Sequence, residues 1–132
     1  GMFVLIHAGF DVYSPALIHA TPERILRRLE RSPETVLVAA HFGGNALDDE
    51  VEETLIGHDL YIDASLGMLM NLDPAQAARL LGKHDAERIL FGSDCPWASP
   101  LETFRWLDAL PLPADRKEKL FYRNAVRLLG LE

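Results

Sequence analysis

Four polar residues stand directly after short apolar runs in this chain of 132 residues: His7 after Phe3-Val-Leu-Ile, His41 after Thr35-Val-Leu-Val-Ala-Ala, Ser65 after Asp59-Leu-Tyr-Ile-Asp-Ala, and Asp94 after Arg88-Ile-Leu-Phe-Gly-Ser. Two imidazoles and a carboxylate are ligand types that Zn2+ prefers, and a bound Zn2+ lowers the pKa of its water far enough to supply hydroxide near neutral pH. An aspartate beside such a water can also take its proton, so Asp94 is read as ligand and base together. The glycines of His7-Ala-Gly9, His41-Phe-Gly-Gly44 and Gly92-Ser-Asp94 allow sharp turns and close approach of the backbone to an ion or a substrate.

For these residues to meet, the apolar runs must be neighbouring strands. The runs Phe3 to Ile6 and Val36 to Ala40 show no in/out alternation, as expected of parallel strands buried on both faces. Helical stretches lie between the runs. Thr21-Pro22, Asp73-Pro74 and Ser99-Pro100 each place a capping side chain before a proline suited to the first turn, and Glu102 completes a capping-box pattern with Ser99. The helix after Thr21 presents Ile25, Leu26 and Leu29 on one face and Arg24, Arg27, Arg28 and Glu30 on the other. Further helices are expected from about Asp48 to Ile56, Leu101 to Leu110 and Asp115 to Leu129. The last should bury Leu120, Phe121, Ala125, Leu128 and Leu129, with Gly130 as its stop.

Four strand-helix units in 132 residues is about 33 residues per unit, the repeat of a (β/α)8 barrel, which takes about 250 residues in full. The expected fold class is therefore α/β, half of a TIM barrel, forming one domain over residues 1–132. In such barrels catalytic groups sit where strands end and the following loops begin, which is where His7, His41 and Asp94 fall. An open four-stranded sheet leaves two unpaired edges and one apolar face, and these call for a partner: an amino-terminal half or a second copy of the chain.

With 48% hydrophobic and 25% charged residues, the composition fits a soluble cytoplasmic protein. No apolar run approaches a membrane span and no signal peptide opens the chain. A single cysteine excludes an internal disulfide framework, and a net charge of −7 argues against a nucleic-acid surface. Gly1 before Met2 reads as a tag remnant, with Met2 the natural start.

The segments His7-Ala-Gly, Ala-His41-Phe-Gly-Gly, Tyr61-Ile-Asp-Ala-Ser65, Arg88-Ile-Leu-Phe-Gly-Ser-Asp94-Cys-Pro-Trp97, Asn124-Ala125 and Leu128-Leu129-Gly130 together resemble strands five to eight of the amidohydrolase-2 group of the amidohydrolase superfamily. The resemblance runs over essentially the whole chain and implies a metal-dependent hydrolase or decarboxylase barrel. It implies that His7 is the strand-five metal ligand, that His41 is the strand-six histidine that binds metal or polarises substrate, and that Asp94 is the strand-eight ligand and proton shuttle. The His-x-His pair that ends strand one in that family has no counterpart here. What remains is two or three ligands, enough for a weak site.

Other residues carry lesser expectations. Ser65 bonds backbone or touches substrate, Trp97 lines a substrate pocket or packs, and His19 lies in a loop that can face substrate. Cys95 reads as a small buried hydrophobe, while His58 and His84 fall at the opposite pole of their strands and read as structural or solvated. Three readings follow: a metal-dependent hydrolase acting through metal-activated water on a small amide, ester or carboxylate; a TatD-like metal-dependent deoxyribonuclease; and a non-catalytic half-barrel that works as an oligomerising or binding module. The deoxyribonucleases typically carry Thr-Asp where this chain has Ser93-Asp94. The expected cofactor is a divalent ion, Zn2+ first, with an empty site as the alternative, and the expected partners are a small-molecule substrate and a second copy or missing half.

Overall fold

Parallel pairing brings the four apolar runs side by side in the order β1-β2-β3-β4 in a computed structural model that describes residues 2–131. Gly1, read above as a tag remnant, lies outside them. The strands are β1 (Val4–Ile6), β2 (Leu37–Ala39), β3 (Tyr61–Asp63) and β4 (Ile89–Leu90). Each is shorter than the apolar run that forms it. At β4 the reason is local: Asp85 caps a tight turn at Ala86–Arg88, so the run becomes extended only at Ile89.

Helices follow each strand. They are α1 (Pro22–Arg31), α2 (Asp48–Thr54), α3 (Pro74–Lys83), α4 (Pro100–Asp108), α5 (Ala114–Glu118) and α6 (Asn124–Leu129). The three expected caps are present. Thr21 Oγ1 accepts from Arg24 N, Asp73 Oδ2 from Gln76 N and Ser99 Oγ from Glu102 N, each satisfying an amide that the first turn leaves free. Gly130 ends α6 at φ 65°, and Leu131 N reaches back to Val126 O, so the chain stops where a left-handed residue was expected. Among the described residues no helix is long and apolar enough to cross a membrane.

The core forms where alternate strand residues meet the helices. Leu37, Ala39, Ile62 and Ile89 pack with Ile25, Leu29, Val51, Leu55, Leu80, Leu81, Leu107 and Leu120. The other face of the sheet is less exposed than an isolated half-barrel suggests. Val38 is buried between its register neighbours Leu5 and Tyr61, and Leu90 is buried beside Asp63. Exposure gathers at β1, where Val4 and Leu5 are 44% and 58% exposed, because this strand has β2 as its single neighbour among the described residues. The expectation of a first strand buried on both faces is corrected accordingly.

The expectation of two open edges is corrected as well. Ala64 N bonds Leu90 O, which turns Leu90 toward β3 and leaves Ile89 and Phe91 facing the other way. On that outer side Phe91 N donates to Leu120 O at 2.8 Å, and Asn124 Nδ2 donates to Ile89 O at 2.7 Å and to Ala86 O at 2.8 Å. The last helix therefore bonds the β4 edge itself. It does so through a π-helical turn at Lys119–Arg123 between α5 and α6; Leu120 in that turn and Asn124 just after it are fully buried, whereas Leu129 is exposed.

Candidate active site

At the carboxyl ends of the strands the backbone enters the left-handed region at His41 (φ 58°), Leu66 (φ 58°) and Asp94 (φ 60°), a conformation that costs a non-glycine residue energy and collects at functional sites. His41 opens a tight turn at His41–Gly43, whose Phe42 is buried against Trp106. Gly9, at φ 85°, passes so close to Asn45 that a Cβ would overlap the Asn45 backbone. This close passage joins the loop after β1 to the turn after β2 and draws His7 toward His41.

The imidazoles meet there. His7 Nδ1 and His41 Nε2 are 2.9 Å apart, with the rings edge-on. Each ring has a partner on its far nitrogen. His7 Nε2 faces Phe10 O at 3.1 Å, a carbonyl held in place by Asn45 Nδ2 at 2.8 Å, and His41 Nδ1 bonds Ser65 Oγ at 2.7 Å. Ser65 Oγ in turn donates to Asp63 Oδ1 at 2.5 Å, and the same carboxylate oxygen accepts from His41 N and Ser65 N, both at 3.0 Å.

From Asp63 to His41 the protons have one arrangement, whereas a neutral His7 has a single ring hydrogen to give, either to Phe10 O or to His41 Nε2. The carboxylate can only accept, so the single Ser65 hydroxyl proton goes to Asp63. The bond from His41 to Ser65 then requires the proton on Nδ1. Burial above all holds the His41 pKa below the ordinary histidine value, with His7 acting in the same direction and Asp63 and Asp94 opposing, so the ring is neutral near pH 7. A neutral ring with Nδ1–H turns its Nε2 lone pair toward His7.

The expected residues separate into two groups. His7, His41 and Ser65 are linked by hydrogen bonds, and Asp94 and Trp97 join His7 in lining a cleft of roughly 450 Å3 whose other walls are Phe10, Asp11, Val12, Tyr13, Asn45, Leu66 and Leu69. Trp97 is 61% exposed and packs on Tyr13, ring centroids 5.8 Å apart. His19 is exposed and outside the residues that line this cleft, and its carbonyl accepts from Arg24, a side chain expected to be merely solvated. Cys95 is exposed, against the expectation of burial. His84 is buried at the far pole, receiving Gly57 N at Nδ1 and bonding Leu60 O through Nε2, and His58 is exposed.

Asp63 and Asn45 are the polar residues that sequence reading passed over. For Asp63 a signal existed: it stands two residues before Ser65 in one apolar run, and in extended backbone residues two apart share a face. Asn45 carries no such mark, since its role depends on the close passage of Gly9.

Among the described residues no three His, Cys, Asp or Glu side chains close around one point as a metal site. The donor chemistry nonetheless fits part of one. Two imidazole nitrogens converge, each ring is oriented by an outer hydrogen-bond partner as metal-bound histidines are, and a carboxylate lines the same cleft.

This half-barrel with a histidine-lined rim defines a class that the comparisons identify. Residues 1–131 match the Amidohydrolase family, and the chain belongs to it. Among solved structures it is similar to a protein described as a candidate 2-pyrone-4,6-dicarboxylic acid hydrolase from Pseudomonas putida, at 21% identity and a TM-score of 0.71, covering 100% of this chain and 53% of that one. An uncharacterised TIM-barrel protein from Bordetella bronchiseptica gives 26% identity and a TM-score of 0.70 over 96% of this chain and 45% of that one. A dihydroxybenzoic acid decarboxylase from Polaromonas, solved with bound manganese and the inhibitor 2-nitroresorcinol, gives 18% identity and a TM-score of 0.60 over 83% and 40%. The chain thus spans about half or less of the length of these proteins. No curated protein matches it.

Proposed function

We propose that this chain carries the strand-five-to-eight side of a metal-dependent active site that acts on a small carboxylate-bearing substrate. The observation that carries the reading is the convergence of His7 Nδ1 and His41 Nε2, each ring held from behind, beside a cleft that Asp94 lines. His7, His41 and Asp94 would hold a divalent ion, with Zn2+ or Mn2+ as candidates, together with ligands from outside this set. Such an ion polarises a substrate oxygen and supplies hydroxide near neutral pH.

The chain's own residues supply the remaining functions. Asp94 accepts a proton in the cleft, and Phe10, Tyr13, Leu66, Leu69 and Trp97 give an apolar wall suited to a flat, unsaturated body. The relatives described as a candidate dicarboxylic acid hydrolase and a dihydroxybenzoic acid decarboxylase support a small acid as substrate and leave two outcomes, hydrolysis by metal-activated water or loss of carbon dioxide. A nuclease reading is not favoured: among the described residues no Lys or Arg lines the cleft, whereas Asp11 and Asp94 do.

The test uses the protein isolated from its own cells, loaded with Zn2+ or Mn2+ and offered unsaturated and aromatic mono- and dicarboxylates, with absorbance and carbon dioxide release followed together. Turnover that Asp94→Asn abolishes supports the reading, and carbon dioxide release separates the two reactions. Full turnover in Asp94→Asn, or metal loading without effect on any acid, sinks it in favour of a binding module.

A further inference from the structure

We infer that Asp63 is a positioning residue that sets the tautomer of His41 through Ser65 and thereby points the Nε2 lone pair at His7. Asp63 is outside the residues that line the cleft. It is held from four directions. His41 N, Ser65 N and Ser65 Oγ all donate to its Oδ1, and Gly92, just past β4, leaves room for the carboxyl group, since a Cβ there would stand 3.1 Å from Asp63 Cγ and 3.2 Å from Oδ1. Three donors on one oxygen, one of them the Ser65 hydroxyl, remove any choice from that hydroxyl. Its proton is committed to Asp63, so toward His41 it can only accept.

The alternative arrangement shows what Asp63 prevents. Without that carboxylate the Ser65 hydroxyl is free to donate to His41 Nδ1, and a neutral ring that accepts at Nδ1 carries its proton on Nε2. The nitrogen facing His7 would then be a donor and could not ligate an ion or accept a proton. Asparagine at position 63 keeps a carbonyl oxygen, and the three donors around it would select that oxygen over the amide nitrogen. Asp63→Asn should therefore preserve the His41 tautomer, whereas Asp63→Ala should reverse it.

The tautomer is read directly from long-range 1H–15N correlations of the His41 ring in the wild-type chain and in Asp63→Asn, Asp63→Ala and Ser65→Ala, without metal. Expected are Nδ1–H in the wild type and in Asp63→Asn, and Nε2–H in Asp63→Ala. Ser65→Ala should lose the fixed Nδ1–H form and, in a separate titration, bind Zn2+ about 10- to 100-fold more weakly. Nε2–H in the wild type, or Nδ1–H retained in a folded Asp63→Ala, overturns the inference. If Asp63→Ala does not fold, Ser65→Ala decides: an unchanged tautomer overturns it and a changed one supports it. The lone-pair direction matters most on the metal-site reading above, yet the tautomer measurement is independent of it. Nδ1–H in a wild type that ignores Zn2+ would defeat the metal site and leave the role of Asp63 standing.

Discussion

His7 Nδ1 and His41 Nε2, 34 positions apart in the chain, lie 2.9 Å from each other across the joint between β1 and β2. A divalent ion held here would take one nitrogen from each ring in place of the hydrogen they share. His7 would then carry its proton on Nε2, the nitrogen that faces Phe10 O.

Calorimetric titration with Zn2+ should therefore show one weak site per chain that both histidines build. His7→Ala and His41→Ala should each weaken binding by more than the roughly 10- to 100-fold expected for an outer partner. Unchanged affinity in either variant would remove that ring from the site.

Trp97 and Tyr13 form the outer lip of the cleft. Trp97→Ala should weaken binding of an aromatic carboxylate to the zinc-loaded protein, by about 10-fold for an aromatic contact of this kind, while zinc affinity stays within about two-fold. A loss of zinc affinity equal to the loss of ligand affinity would mean that Trp97 supports the site rather than the ligand.

His84 gives the fold an acid sensitivity distant from the rim. Burial holds its pKa below the ordinary value of about 6.5, with the Leu60 carbonyl opposing. The folded state thus resists a proton that the unfolded chain accepts. Stability is full above about pH 6.5 and declines as pH falls below it, until the folded ring also protonates. His84→Gln should be less stable at pH 7.5, by about 1–3 kcal/mol for disturbed bonds to Gly57 and Leu60, and its urea midpoint should fall less steeply between pH 6.5 and 5. An equal slope in both proteins would assign the acid sensitivity elsewhere, with His41 the next group to test.

Two glycines with similar positive φ should behave oppositely in degree. Gly57→Ala meets nothing within 4 Å and should cost about 1–2 kcal/mol for the left-handed backbone alone. Gly9→Ala collides with the Asn45 backbone and should cost more than about 4 kcal/mol. Equal melting temperatures for the two variants would show that the Asn45 backbone yields to a side chain at position 9.

Asn124→Leu leaves the carbonyls of Ile89 and Ala86 without their donor. It should cost about 3 kcal/mol, near 12 °C in melting temperature for a domain of this size. A stability equal to the wild type would mean that the last helix does not hold the β4 edge.

Much of this architecture was legible in the sequence. Proline after Thr21, Asp73 and Ser99 located three helix starts, and the polar residues after apolar runs located the rim, because both signals are local and fixed by backbone chemistry. Three features were not legible, for a shared physical reason. The burial of Asn124 depends on a π-turn that aims it at β4, the bonding of Asn45 depends on the approach of Gly9, and the wall made by Tyr13 depends on where a loop folds back. Each is a contact between segments far apart in the chain, to which periodicity is blind. Asp63 is the intermediate case: its face could be read, while the three donors on one oxygen could not.

The last helix also determines how copies of this sheet could add to one another. With Leu120 and Asn124 bonded to the outer groups of β4, the strand edge left open among the described residues is the one beside Leu5. Two chains joined through that side would present sealed borders at both ends, so growth would terminate at a pair and could not run on into a fibril.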